Sequence, residues 1–125
     1  MEDGKILYRE LSFKIVGCAM DVHKHLGPGF PEAVYERALE LELRKKELAY
    51  ERQKVFRVTY DGKPVGDFRA DFVVDSKVIL ELKAVSEIPA IFERQLHSYL
   101  QASKLRLGIL INFGKEKLES RRIVY

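Results

Sequence analysis

Cysteine is almost absent from this chain, and its absence limits the chemistry that the protein can perform. Cys18 is the only cysteine among 125 residues, which excludes an intrachain disulfide, a cysteine-rich zinc site and a cysteine-bound iron–sulfur cluster. Cys18 lies in an apolar helical stripe, so we expect it in the core and not as a nucleophile. Because residues 1–5 are polar and do not resemble a signal peptide, we expect a cytoplasmic protein.

Long apolar runs, repeats and low-complexity segments are also missing. No run of about 18 apolar residues is present, so the sequence predicts no membrane span. Without a linker, residues 1–125 are expected to form one domain. The net charge is +3, but the first fifty residues carry −1 and the rest +4. This distribution permits a phosphate-bearing partner without requiring one.

The hydrophobic pattern predicts an α/β domain with a mixed central β-sheet flanked by helices. The predicted elements are helices at about 12–25 (capped by Ser12), 31–46 and 89–103, and strands at 55–60, 65–74, 78–84, 105–111 and 121–125.

Two acidic residues interrupt neighbouring apolar strands. Asp71 lies in the second strand, and Glu81 lies in the third, with Lys83 two residues later. In an antiparallel hairpin, the residue numbers of any two paired residues add up to the same value, the index sum. A three-residue loop at 75–77 would therefore place Asp71 opposite Glu81 on one face. A two-residue loop would place them on opposite faces. Glu81 and Lys83 share a face, either as an ordinary ion pair or as a metal ligand beside a catalytic cation.

Adjacent carboxylates repel each other unless a positive charge lies between them, and a divalent cation is the usual solution. Hard carboxylate oxygens favour Mg²⁺ or Mn²⁺ over zinc. Asp71 and Glu81 are therefore candidate metal ligands, and Lys83 is a candidate catalytic residue.

Two helices carry further candidates. Glu32 opens the second helix, where the helix dipole ordinarily favours an acid, and Tyr35 follows one turn later. Gln95 and Tyr99 share a face of the third helix. We expect Tyr35 and Tyr99 at the site, and we interpret His23 as a hydrogen-bonded structural histidine.

Taken in order, these residues resemble the GxxExxY family, which is placed in the PD-(D/E)xK nuclease superfamily. Gly29, Glu32 and Tyr35 match the signature itself. The remaining matches are residues 22–29, 69–71, 81–84, the Gln95–Tyr99 pair and 110–114. The resemblance covers nearly the whole chain, implies a restriction-endonuclease-like fold, and includes a Gln-x-x-x-Tyr helix similar to that of RecB-type nucleases.

The resemblance implies a metal centre. Asp71 and Glu81 would bind the metal, the carbonyl of Leu82 would be a further ligand, and Glu32 would help to hold the metal or its water. The superfamily's older proline–aspartate pair is absent here, since Ala70 precedes the aspartate.

The resemblance also implies catalytic roles. Lys83 would orient the attacking water or stabilise the charge of the phosphorane, Gln95 would buttress the site, and Tyr99 would face the same cleft. We therefore predict a Mg²⁺- or Mn²⁺-dependent nuclease acting on DNA or RNA. A non-catalytic module that binds nucleic acid or protein is the main alternative, and a hydrolase of small phosphoesters is a third. Small nuclease folds often dimerise to hold a duplex, so a homodimer is a further expectation.

Overall fold

The computed structural model describes residues 6–125, so the polar residues 1–5 lie outside it. Within this range the elements follow the predicted order. They are α1 (Arg9–Leu26), α2 (Glu32–Lys45), β1 (Tyr50–Tyr60), β2 (Lys63–Val74), β3 (Val78–Lys83), α3 (Ala90–Ser103), β4 (Leu107–Asn112) and β5 (Glu119–Val124). Strand β1 begins at Tyr50, before its predicted start at residue 55. The prediction missed this part because most of its residues are polar and lie at the edge of the sheet.

Glycine and proline set most of the helix boundaries. Gly27 has a φ of +68°, which glycine tolerates, and its N–H donates to the carbonyl of His23 to end α1. Pro31 immediately precedes α2. The predicted cap at Ser12 is wrong, because α1 begins at Arg9 and the Ser12 hydroxyl instead accepts a hydrogen bond from Arg122.

The five strands form one sheet in the order β1-β2-β3-β4-β5. All neighbours are antiparallel except β3 and β4, which are parallel and are joined by the crossover helix α3. The predicted mixed sheet is confirmed. Among the helices of residues 6–125, none is long and apolar enough to cross a membrane.

The sheet has a core on each face. Helices α1 and α2 pack against one face, which includes Leu80 and Leu82 of β3, and α3 packs against the other, which includes Ile79. Helix α3 approaches closely at Gly108, where an added Cβ would lie 2.8 Å from Leu96 Cγ. Alternation along β3 therefore directs even-numbered residues to the α1–α2 core and odd-numbered residues to the α3 face.

A buried asparagine fastens the chain that leaves β3. The Asn112 side-chain amide donates to the carbonyl of Val85 at 2.9 Å, and its Oδ1 accepts from the N–H groups of Val85 and Gly114, each at 3.0 Å. The N–H of Phe113 donates to the carbonyl of Lys83 at 2.8 Å. These bonds fix the end of the strand that carries Glu81 and Lys83.

We predict that Gly114→Ala lowers the free energy of unfolding by roughly 1–3 kcal/mol, the usual cost of overpacking. A Cβ at Gly114 would lie 2.4 Å from the backbone of Val85, which cannot move without breaking the Asn112 bonds. Gly66→Ala is the matched control, since a Cβ there meets nothing within 4 Å. Urea denaturation of both variants measures the difference, and equal stabilities would contradict the prediction.

Candidate metal and active site

Asp71 and Glu81 lie where β2 and β3 separate, a region that we call the β2–β3 fork. The register pairs Phe72 with Leu80, which confirms the predicted index sum and the turn at 75–77. Beyond this pair, carboxylates replace the ladder hydrogen bonds. The Asp71 N–H donates to Glu81 Oε2 at 3.0 Å, and the Leu82 N–H donates to Asp71 Oδ2 at 2.8 Å. Each carboxylate is thus held against the backbone of the opposite strand.

Lys83 lies beside the fork on the α3 face of the sheet. Its ammonium is 4.4 Å from the centroid of the Phe92 ring, a cation–π contact. Among residues 6–125, no carboxylate lies within salt-bridge distance of Lys83. The Glu81–Lys83 pair is therefore not the ordinary ion pair that a half-exposed strand would carry, and the lysine is positioned by an aromatic ring.

Helix α2 brings two more acids toward the fork. Glu32 remains accessible at the start of the helix, yet partial desolvation and then the charge of Asp71 raise its pKa, against the opposing effect of Lys83. Burial is also the main reason why the pKa of Glu36 is raised, and Asp71 adds to this shift. Glu32 thus lies within electrostatic range of Asp71 and Lys83. Its role in holding the metal or its water stays a prediction.

Gln53 is a site residue that the sequence did not reveal. Its amide nitrogen donates to both carboxylate oxygens of Glu36, at 3.0 and 3.1 Å, and to Asp71 Oδ1 at 3.2 Å. The residue lies in β1 at a gap in the β1–β2 register, between the pairs Arg52–Phe72 and Lys54–Ala70, and has a φ of +54°, which is rare for glutamine in a strand. Glu36 could have been found from its position one turn after Glu32, whereas nothing in the sequence signals the unusual backbone of Gln53.

At Asp71, the side chains of β2 change the face of the sheet on which they pack. Phe72 belongs to the α1–α2 core, whereas Ala70, two residues earlier, belongs to the α3 core, and Phe68 stacks on Tyr99 of α3. Regular alternation would keep these residues on one side. The gap in the β1–β2 pairing at Gln53 and Asp71 therefore coincides with this change of face.

Helix α3 contributes Tyr99 to the surroundings of the fork. The rings of Tyr99 and Phe68 are stacked, with centroids 4.0 Å apart. Burial and then the charges of Glu81 and Asp71 raise the pKa of Tyr99, so its hydroxyl lies within their electrostatic range. Gln95 is exposed, and within residues 6–125 no hydrogen bond joins it to the fork. Its buttressing role stays a prediction.

Three of the residues singled out in the sequence are structural. Tyr35, which we expected at the site, is fully buried, stacks on Phe113 with centroids 4.6 Å apart, and donates its hydroxyl hydrogen to the Gly27 carbonyl. The ring can be buried because its hydroxyl forms hydrogen bonds with the backbone of the turn. His23 is a hydrogen-bonded structural residue, as predicted, with Nε2 2.8 Å from the Lys115 carbonyl. Cys18 is buried in the core, as expected.

Glu81 lies in an electrostatically unfavourable position at the fork. Glu81 is only 7% exposed. Its burial, followed by the charge of Asp71, raises the pKa of Glu81 to about 8, although the Asp71 N–H and Lys83 oppose the shift. Without an additional cation, Glu81 is therefore mostly protonated at neutral pH.

A family model described as the PD-(D/E)XK nuclease superfamily matches residues 9–123. The chain belongs to this superfamily. The crystal structure of SSO0001 shares the fold, with a TM-score of 0.59 and 16% sequence identity over 91% of this chain and 77% of that chain. No curated protein matches the chain. The expected superfamily and its α/β fold are thus confirmed.

The fork of this PD-(D/E)XK chain suits a hard divalent cation. Asp71 and Glu81 supply carboxylate oxygens, and their repulsion is the kind of conflict that a cation relieves. Across residues 6–125, no three His, Cys, Asp or Glu side chains are placed to hold a metal by themselves. A cation here would need backbone oxygen, such as the Leu82 carbonyl, and water to complete its shell. Mg²⁺ commonly keeps several waters, so the donor set fits it.

We predict that Glu81→Gln stabilises the metal-free protein at pH 8 by about 1–4 kcal/mol, the range found when buried charges are replaced. The folded pKa of about 8 exceeds the ordinary value of 4.5, so wild type loses this stability as pH rises from 4.5 to 8. Glutamine keeps the acceptor for the Asp71 N–H but cannot ionise.

The measurement is urea denaturation in EDTA at pH 5 and pH 8, with the exposed Glu87→Gln as control. The stabilisation should grow between the two pH values in Glu81→Gln only. A gain that is the same at both pH values would show that ionisation of Glu81 is not its cause.

We also predict that Gln53→Gly weakens Mn²⁺ binding by roughly 10- to 100-fold, the usual effect of losing a group that orients a ligand. Glycine removes the amide that holds Asp71 and accepts the positive φ without strain. Titration calorimetry measures the affinity. Arg52→Gln is the control, because it breaks the ion pairs with Glu36 and Glu40 but leaves the Gln53–Asp71 bond. Equal affinities in the two variants would exclude an orienting role for Gln53.

Proposed function

We propose that this protein is a Mg²⁺- or Mn²⁺-dependent nuclease that hydrolyses phosphodiester bonds of DNA or RNA. One observation carries the proposal. The half-buried carboxylate of Asp71 and the buried carboxylate of Glu81 share the β2–β3 fork beside Lys83, a cation that has no carboxylate within salt-bridge distance in residues 6–125. Superfamily membership supports the same chemistry.

Each residue of the fork has a task under this proposal. Asp71 and Glu81 would hold the metal, which supplies a water of lowered pKa and neutralises charge on the phosphate. Gln53 and the Leu82 N–H orient the Asp71 carboxylate. Glu32, at the start of α2, would accept a hydrogen bond from a water beside the fork. Its pKa is raised by partial burial and then by Asp71, so it takes up a proton more readily than a fully solvated carboxylate.

Lys83 acts on the phosphate. Its ammonium is held over Phe92, so it loses little freedom when it faces a negatively charged group. No carboxylate within the described residues neutralises it, and its charge is therefore available for the extra negative charge of the phosphorane. Tyr99, beside the fork, is placed to donate a hydrogen bond from its hydroxyl, because its raised pKa keeps it protonated.

We predict that Lys83→Ala lowers the rate of phosphodiester cleavage by roughly a hundredfold or more, the effect of removing one charge-stabilising group. Metal affinity should be unchanged or tighter, because a competing positive charge has gone. Asp71→Ala should abolish both metal binding and cleavage. Cleavage of labelled single- and double-stranded DNA and RNA is measured with Mg²⁺, Mn²⁺ or EDTA, together with Mn²⁺ calorimetry.

Lys77→Ala is the matched control. Lys77 lies in the same hairpin and also over an aromatic ring, that of Tyr8 at 5.8 Å, but outside the fork. Its removal should leave cleavage unchanged. If wild type binds no metal and cleaves no substrate, the nuclease proposal fails and a non-catalytic binding module becomes the better account.

A further inference from the structure

Helix α1 has an outer side that points away from the core. We call it the α1 outer face; its residues are Glu10, Phe13, Lys14, Gly17, Met20, Asp21 and Lys24. Within it, Phe13 is 81% exposed and Met20 is 57% exposed. Because seven residues are nearly two helical turns, these two side chains lie on the same side of the helix. Single exposed apolar residues are common, whereas two that are aligned on one helix form a patch suited to a partner.

Gly17 lies between these two residues, and its own chain gives no reason for a glycine. Glycine within a helix is unfavourable relative to alanine. A Cβ added at Gly17 would meet nothing within 4 Å, so no neighbour in the described residues requires its absence. A notch of about 480 Å³ lies here, lined by Phe13, Lys14, Gly17, Met20, Asp21 and Lys46. A second helix can approach more closely over a glycine than over a larger side chain, because the side chains at the contact set the distance between helix axes.

Four charged residues of the α1 outer face have no salt bridge within residues 6–125. Glu10 and Lys24 lie seven residues before and seven residues after Gly17. Lys14 and Asp21 lie three residues before it and four after it. Opposite charges therefore stand at nearly equal distances on the two sides of the glycine.

We propose that the α1 outer face binds a second copy of this chain, with the two α1 helices antiparallel and a two-fold axis at Gly17. This arrangement places Glu10 opposite the partner's Lys24 and Lys14 opposite the partner's Asp21, and the symmetry forms each ion pair twice. Parallel helices would instead bring each charged residue against its own copy, with like charges facing. The charge pattern therefore matches a second copy of the chain in one orientation.

The apolar residues match the same arrangement. Helical periodicity places Phe13 and Met20 on one side of the line through Gly17, and the two-fold axis packs Phe13 on the partner's Met20. A second cavity, of about 430 Å³, lies beside Met20, and the apolar residues of its lining are Val16, Met20 and Leu118. The partner's Phe13 is the side chain that the antiparallel arrangement brings to this cavity. The aromatic ring thus supplies the apolar contact, and the ion pairs on the other side of the line fix the orientation.

Sedimentation velocity tests the dimer. One helix pair is a small interface, so we expect a dissociation constant in roughly the micromolar range, measured with protein at about 1–100 µM. Gly17→Gln should abolish the dimer while the monomer melts at the same or a higher temperature, because glutamine is the better helix former. Phe13→Ser should weaken the dimer by about tenfold or more, since a two-fold interface contains each substitution twice. Ile91→Ser is the control, because Ile91 is 54% exposed but lies on α3, on the other side of the sheet.

A charge reversal tests the orientation. Asp21→Lys should weaken the dimer, because it brings two lysines together at each pair. Lys14→Asp/Asp21→Lys should restore association, because it forms the same ion pairs with their signs exchanged. The proposal is overturned if wild type stays monomeric over the whole range, if Gly17→Gln dimerises as wild type does, if Ile91→Ser acts like Phe13→Ser, or if the double variant associates no better than Asp21→Lys. None of these measurements uses metal or cleavage, so the result is independent of the proposed function.

Discussion

The repulsion between the half-buried Asp71 and the buried Glu81 governs the structure around the β2–β3 fork. Asp71 and Glu81 lie where two strands separate, and each accepts an N–H hydrogen bond from the opposite strand. These bonds stabilise the charges only in part, because burial and the neighbouring charge still raise the pKa of Glu81 to about 8. A buried acid with this property destabilises the apo fold at neutral pH, and such strain is typical of functional sites.

The surrounding structure fixes the positions of these two carboxylates. On one side, Gln53 donates to Asp71 and Glu36 and so connects β1, β2 and α2 at one point. On the other side, Asn112 fastens the residues that follow Lys83, and Phe92 supports its ammonium. The acids therefore cannot move apart to relieve their repulsion, since the backbone on each side is fixed by hydrogen bonds. A site of this kind is preorganised for a cation.

Much of this arrangement could be predicted from the sequence, because it follows from strand periodicity. The index sum of the hairpin placed Asp71 opposite Glu81, and alternation placed Lys83 on the same face. Residues whose roles depend on irregular backbone were not predictable. Gln53 donates to Asp71 from a position with a positive φ, in the part of β1 that precedes the predicted start of the strand. Tyr35 was expected at the site, yet its hydroxyl closes the glycine turn from within the core. A signature tyrosine therefore indicated a fold constraint, not a contact with substrate.

The charges at the fork have a consequence for the order of binding under the proposed function. Asp71, with Glu32 and Glu36 nearby, repels a phosphate, whereas Lys83 attracts it. A cation at the fork would neutralise Asp71 and would favour the ionised form of Glu81, because it stabilises the negative charge that burial opposes. Metal binding would then control the placement of the reacting phosphate as well as the chemistry, because the acids that hold the metal otherwise oppose the approach of the substrate.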